Sequence, residues 1–333
     1  MVLGYEPFHG RCPFAGSGSV MPLRGLMKEL LDMGRKLRAG LLKTAALCLP
    51  VLLGGCKMVL LDPKGQIGLD ERNLIFLALG LMLLVVLPVI FMALFFAWHY
   101  RESNTKATYM PDWGHSNKIE AVVWGVPIVI ICILGYVTWK TTHQLEPSRP
   151  IASKNKTLDV EVVSLDWKWL FIYPKQNIAV VNQLAFPVNT PVRFDITSAT
   201  VMNSFFIPQI GSQIYAMAGM DSKLHLISDK VGTYFGLSSD FSGKGFYGMH
   251  FKAKVMTDAD FAAWVANAKK APTQLTKANY ELLAKPSENN PVQFYSGVDP
   301  DLFGNILSQY LKPGMKPTKA AVKPSAPGVA HVG

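Results

Sequence analysis

Between Leu74 and Trp98 the chain runs for 25 residues without a charged side chain, and from Ala121 to Trp139 it does so again for 19. A helix rises about 1.5 Å per residue, so either run is long enough to cross a hydrocarbon core of about 30 Å. Backbone N–H and C=O groups find no water inside lipid. Each run must therefore satisfy them internally as a helix, even through Pro88 and Pro127, where a kink is the expected local response. Two buried core helices are the alternative, and the lengths argue against them. The 22 residues from His99 to Glu120 between the runs make a hairpin connection rather than a domain.

What precedes the hairpin sets its expected orientation. Arg35, Lys36, Arg38 and Lys43 lead into the apolar stretch Ala45 to Leu53, and Leu53-Gly54-Gly55-Cys56 supplies small residues of the kind signal processing requires. Basic region, apolar core and Leu-x-Gly-Cys box, in that order, resemble the leader of a bacterial lipoprotein. In such leaders the cysteine is lipidated and becomes the mature N-terminus, here Cys56. Met33 would open a leader of ordinary length, so residues 1 to 32 are either an over-extended reading of the gene or a long basic region. Cys12 and Cys48 then have no role in the mature chain, and Cys132, within the second run, is a small packed or lipid-facing side chain. With Cys56 outside a bacterial inner membrane, the first helix runs inward, the second runs outward, and everything after Lys140 is expected in the periplasm. Flanking charges give no independent support: Arg101, Lys106 and Lys118 in the loop are matched by Lys57, Lys64, Arg72, Lys140 and Arg149 outside it.

The formal charge of +10 raises nucleic acid as a partner, and its distribution argues against one. Residues 1 to 55 carry seven basic and three acidic side chains, and residues 312 to 333 carry Lys312, Lys316, Lys319 and Lys323 with no acid, which leaves +2 for residues 56 to 311. The excess thus sits in a removable leader and in a Pro/Ala/Lys tail whose composition predicts disorder and contact with anionic membrane lipid. No basic patch with interleaved aromatics occurs, so no nucleic acid partner is expected.

Behind the hairpin the hydrophobic period becomes two. Leu158, Val160 and Val162 alternate with Asp159 and Glu161; Val192, Phe194 and Ile196 with Arg193 and Asp195; Met249, Phe251, Ala253 and Val255 with His250, Lys252 and Lys254. Such strands, separated by turns such as Phe186-Pro187 and Gly243-Lys244-Gly245, predict a β-sandwich or barrel of about one hundred residues. Thr257 then stands three before Asp260 as a capping box, and Phe261, Trp264, Val265 and Ala268 follow helical spacing, so a helix is expected on the outside of the sandwich. Leu275 to Ala284 and Leu302 to Leu311 predict two more short helices. The expected organisation is a leader over 1–55, an outer segment over 56–73, the hairpin over 74–140, the sandwich over 141–256, a helical extension over 257–311 and the tail over 312–333.

Chemistry in the outer region is defined mostly by what is missing. From Thr138 onward there is no cysteine, and the histidines are His143, His225, His250 and His331. A blue-copper centre needs a thiolate and imidazoles, and a zinc site needs several Cys or His at short spacing, so neither can be built. His225 and His250 alternate with apolar neighbours and are expected on the wet side of their strands. Met202, Met217, Met220 and Met249, without such partners, are expected to fill apolar gaps. No Ser-His-Asp order, phosphate loop or nucleotide fingerprint stands out.

Three motifs occur in order on this topology: His115-Ser116-x-x-x-Glu120-x-x-x-Trp124-x-x-Pro127, Asp166-Trp167-Lys168-Trp169-x-x-x-Tyr173-Pro174 and Val201-Met202-Asn203-Ser204-Phe205-Phe206-Ile207-Pro208. Together they resemble subunit II of the haem-copper respiratory oxidases, over about Cys56 to Leu311. The box at Cys56 and the segment Leu60 to Gly68 resemble the quinol-oxidising branch of that family. The resemblance implies a membrane two-helix hairpin joined to an all-β cupredoxin-like sandwich with short C-terminal helices. It also implies a complex with oxidase subunits I, III and IV that oxidises quinol, reduces oxygen to water and pumps protons. Haem and copper would be held in partner subunit I, with no cofactor on this chain.

In copper-bearing relatives a dinuclear centre uses two histidines, two cysteines, an acidic residue and a methionine. The matching positions here are Asn203, Ser238, Asp240, Ser242, Phe246 and Met249, so only the acid and the methionine survive, and no metal is expected. Glu120 by itself is an interfacial acid at a helix N-terminus; the resemblance implies the mouth of a proton-uptake channel shared with subunit I. Trp167, Trp169 and Phe171 are expected on one strand face, packed in the core or against subunit I, with the contact to subunit I preferred.

Overall fold

The computed structural model describes residues 58–108, 110 and 113–311, together with the backbone of 318–319. The leader, Cys56 and most of the basic tail lie outside the described residues.

Both apolar runs are helices. α1 spans Gln66–His99 and α2 spans Asn117–Gln144, each continuous through its proline, Pro88 or Pro127. The 34 residues of α1 extend about 50 Å against a hydrocarbon core of about 30 Å, so its first turns stand outside any bilayer. Large side chains point outward along both helices, Phe91 and Leu94 among them, as suits helices whose solvent is lipid. At the loop end Arg101 donates to the Trp98 carbonyl at 2.8 Å and lies 4.9 Å over its ring, a cation on the negative end of the helix.

The protruding start of α1 is stitched to the head. The Lys64 N–H donates to the Gln209 carbonyl at 2.6 Å and the Gly68 N–H to that of Ile210 at 3.1 Å, while the Lys64 carbonyl accepts the Asp229 N–H at 3.1 Å and the Ser228 hydroxyl at 2.7 Å. The backbones approach this closely because Gly65 has no side chain: a Cβ there would lie 2.3 Å from the Ile227 carbonyl oxygen.

The head is built from two sheets. β1 (Leu158–Leu165), β2 (Lys168–Tyr173), β3 (Ile178–Val181), β5 (Val192–Ser198), β8 (Met220–Leu226), β11 (Gln293–Tyr295) and the two-residue β12 (Thr318–Lys319) make one, in the order β11-β3-β2-β1-β5-β8-β12. β4 (Gln183–Pro187), β6 (Asn203–Ile207), β7 (Gly211–Ala216), β9 (Gly232–Ser238) and β10 (His250–Met256) make the other, in the order β4-β10-β9-β6-β7. The expected alternation holds in β1, β5 and β10, whose apolar side chains line a core between the sheets. At its centre Phe205 stacks on Phe251 at 5.2 Å, with Trp169 edge-on to both at 5.4 and 5.9 Å.

α3 (Asp258–Ala268) starts at the expected capping box, where Thr257 Oγ1 accepts the Asp260 N–H at 3.2 Å. Its Trp264 packs edge-on against Tyr173 at 5.4 Å. The other two helices are shorter than the hydrophobic pattern predicts: α4 is Lys277–Leu283 and α5 is Leu302–Ser308. They build something alternation does not announce, a second core on the far face of the first sheet. Tyr280, Phe303 and Ile306 join Leu275 in covering Val163, Leu165, Leu170 and Ile172. All six residues of β2 are therefore buried, which is why that strand reads as an unbroken run.

Three expectations need correction. His225 is not on a wet face: the chain leaving α2 crosses β8, so the Pro147 carbonyl accepts the His225 N–H at 3.0 Å and lies 3.3 Å from Nδ1. Burial lowers the pKa of this imidazole, with the Pro147 contact opposing. Trp169 and Phe171 face the interior rather than a partner, because the second sheet covers them. Met202 and Met220 are exposed and fill no gap, whereas Met249 is buried as expected. His250 does remain exposed, stacked 5.4 Å from Phe235.

Candidate functional site

The positions matched to a copper centre gather where two strands end side by side. β6 pairs antiparallel with β9, Phe205 opposite Ser238, and the chain reaches β10 through a 3-10 turn at Phe246–Gly248. Asn203 opens one strand, Ser238 closes the other and Met249 precedes the third, all three buried. The Ser238 hydroxyl donates to Asn203 Oδ1 at 3.1 Å and accepts the Ser204 N–H at 3.4 Å, and the Asp240 carbonyl lies 3.3 Å from the same hydroxyl. Asn203 Nδ2 donates to the Val201 carbonyl at 3.2 Å, and the Ser242 hydroxyl points at Met249 Sδ from 3.8 Å. The Phe246 ring meets Phe241 edge-on at 5.5 Å.

The loop is held shut by an indole. Trp167 sits at φ 61° in the turn between β1 and β2, packed partly buried against the core that holds Trp169 and Phe171, and its Nε1–H donates to the Ser242 carbonyl at 3.0 Å. Gly245 lies flat on that ring: a Cβ there would come within 2.4 Å of Trp167 Cδ2.

Copper in such a cradle is held by thiolate sulfur and imidazole nitrogen. Here hydroxyls and an amide bond to one another, and a phenyl ring stands where an imidazole would be needed. Only Met249 and Asp240 are of donor type. The residues do not fit a dinuclear copper centre, and among the described residues no group of three His, Cys, Asp or Glu is placed to hold a metal ion.

A second site opens α2. Glu120 donates its N–H to the Ser116 carbonyl at 3.0 Å, and its Oε1 lies 2.6 Å from His115 Nδ1. The other ring nitrogen of His115 contacts Asn117 Oδ1. The chain turns back at the N-cap, so a histidine five residues before the acid becomes its neighbour. The His-Ser-x-x-x-Glu spacing was the available signal for this pair. Both side chains are exposed, within reach of water and of a partner.

The family description "Cytochrome C oxidase subunit II, periplasmic domain" matches residues 157–255, and "COX Aromatic Rich Motif" matches residues 269–314, the stretch that supplies the second core. The cytochrome bo(3) ubiquinol oxidase subunit 2 of Pseudomonas aeruginosa is 59% identical over 269 residues, covering 81% of this chain and 81% of that protein. The ubiquinol oxidase subunit 2 of Acetobacter aceti is 50% identical over 280 residues, 84% of this chain and 91% of its own length. The quinol oxidase subunit 2 of Bacillus subtilis is 40% identical over 261 residues, with 77% and 81% covered. With identity of this extent joined to the folded cradle and the hairpin, the chain belongs to the quinol oxidase branch of the cytochrome oxidase subunit II family.

Proposed function

We propose that this chain is the second subunit of a quinol-oxidising terminal oxidase of the aerobic respiratory chain, anchored in the bacterial inner membrane by α1 and α2 with its head in the periplasm. The observation that supports this reading is the cradle: the positions matched to a copper centre lie together at the strand ends, and what they present is hydroxyl, amide and phenyl. Electrons therefore do not pass through the head. Quinol delivers them to partner subunit I, whose haem and copper carry out oxygen reduction and the coupled proton pumping, with subunits III and IV completing the complex. Acyl chains on Cys56 would pin the outer N-terminal segment at the membrane surface, adding to an anchor that two helices already provide. The test is the purified complex. Oxygen uptake is expected with quinol and not with reduced cytochrome c, and stoichiometric redox-active copper in the head would overturn the reading.

At the inner end, the reading assigns proton uptake to Glu120. Its exposed carboxyl group beside His115 can take up and release protons at the boundary, as an amide cannot. Glu120→Gln is expected to slow quinol-driven oxygen reduction severalfold while the haem content stays normal. Unchanged turnover across the pH range would remove the assignment.

A further inference from the structure

Trp167 and Lys168 are neighbours in the second sequence motif. Trp167 holds the cradle loop directly, through Ser242 and Gly245. Lys168 opens β2 and is 1% exposed, which for an ammonium group requires partners. They come from one segment of the C-terminal extension, the loop after α4: Nζ donates to the Lys285 carbonyl at 2.8 Å and to Ser287 Oγ at 2.5 Å. A second root lies at Asn182, at φ 56° between β3 and β4. Its Oδ1 accepts the Trp169 N–H at 2.9 Å, and its Nδ2 donates to the Asn290 carbonyl at 2.9 Å. Between the two roots the loop is stapled to itself, the Ser287 hydroxyl donating to Asn290 Oδ1 at 2.9 Å and Asn290 Nδ2 to the Ser287 carbonyl at 2.8 Å.

The same loop also meets the cradle. Glu288 Oε1 lies 3.2 Å from Lys244 Nζ. Asn289, at φ 52°, sets its side-chain carbonyl where a Cβ on Gly248 would come within 2.6 Å of it, and Gly248 immediately precedes the buried Met249. In this stretch the N–H groups of Phe246, Gly248 and Met249 reach carbonyls three residues back, bonds that shape the turn without tying it to either sheet. In a copper centre, metal–ligand bonds would fasten such a loop to its strands. The hydroxyl and amide side chains at the matched positions offer only hydrogen bonds, against a backbone entropy cost of about 1–2 kcal/mol for each residue ordered.

We infer that residues 285–290 form a brace that takes the part metal–ligand bonds would play in a copper centre, fixing the cradle loop to the first sheet by way of Lys168 and Asn182. The inference rests on the reading of a head without copper, and copper analysis of the same sample tests that reading separately. The experiment is hydrogen exchange followed by mass spectrometry on the purified complex, with peptides spanning Gly243 to Met249 as the reporter. Lys168→Met removes the donors of the buried root, and exchange at the reporter should rise about tenfold while peptides of β5 and β8 stay at their native rate. Glu288→Lys, a change at an exposed ion pair that leaves the head's folding intact, should raise reporter exchange about twofold, and adding Lys244→Glu should reverse the rise. If Lys168→Met loosens β5 as well, the Glu288 and Lys244 chains decide. The brace is overturned if Lys168→Met speeds exchange in residues 285–290 and leaves the reporter at its native rate. It is overturned equally if Glu288→Lys has no effect there, or one that Lys244→Glu does not reverse.

Discussion

Trp124 in α2 is 69% exposed, whereas Trp169 in β2 is fully buried against Phe205 and Phe251. The same side chain meets opposite surroundings in the hairpin and in the head. In the hairpin, apolar residues face outward and the backbone closes its own hydrogen bonds, so the element depends on composition and length more than on any neighbour. In the head each apolar side chain is fitted among others at interior density, so its size and shape matter individually. One molecule thus contains a part specified by its solvent and a part specified by its contacts.

Substitutions can break that contrast. The largest effect is expected for Trp169→Ala, which empties the junction of three aromatic rings and should destabilise the head by about 3–5 kcal/mol in thermal or denaturant unfolding of the detergent-solubilised chain. A loss below about 1 kcal/mol would mean that this core tolerates a cavity and that the head is not specified by its contacts. Glu161→Gln comes next, and its effect depends on pH. Burial, then Asp195 and Asp221, push the Glu161 carboxyl group up to about 7 in the folded chain, with Arg193 opposing, against the ordinary 4.5, so between these limits the folded chain binds more protons than the unfolded one. Stability is then fully present below about 4.5 and falls as pH rises through 7. Removing the ionisable group should raise stability at pH 8 by about 1–2 kcal/mol, allowing for the solvent-facing part of the side chain, and leave stability at pH 4 unchanged. Unfolding curves of both chains at the two pH values check this. An equal effect at both would assign the change to packing. The smallest effect is expected for Trp124→Leu, which should alter head stability by no more than about 0.5 kcal/mol. A larger shift in the same measurement would reveal coupling between α2 and the head.

Much of this architecture could be read before any coordinates. Two long uncharged runs announced the hairpin, alternation announced β1, β5 and β10, and Thr257 with Asp260 announced the start of α3. The six cradle positions were set by matching to the copper-bearing relatives, and the pairing of β6 with β9 puts Asn203 beside Ser238. Other features were hidden because they depend on residues far apart in the chain. Lys168 looks like a surface lysine between two tryptophans, yet it is buried, its Nζ donating to the Lys285 carbonyl at 2.8 Å and to Ser287 Oγ at 2.5 Å. Burial lowers its pKa, with Asp166 opposing, and no local pattern encodes a partner 117 residues away. His225 was misplaced for the same reason, since the segment at Pro147 that covers it belongs to the exit from α2.

What the sequence determined by itself was the solvent of each segment and the chemistry denied to the head. Run length, hydrophobic period and the absence of thiolate after Cys132 are properties of the chain whatever its shape. Tertiary structure alone decided that the C-terminal extension would cover a second face of the sheet, that Lys168 would be buried against Lys285 and Ser287, and that the exit from α2 would cover His225. Each of these depends on how distant segments come together in space, and burial and proximity are determined by that assembly rather than by local order along the chain.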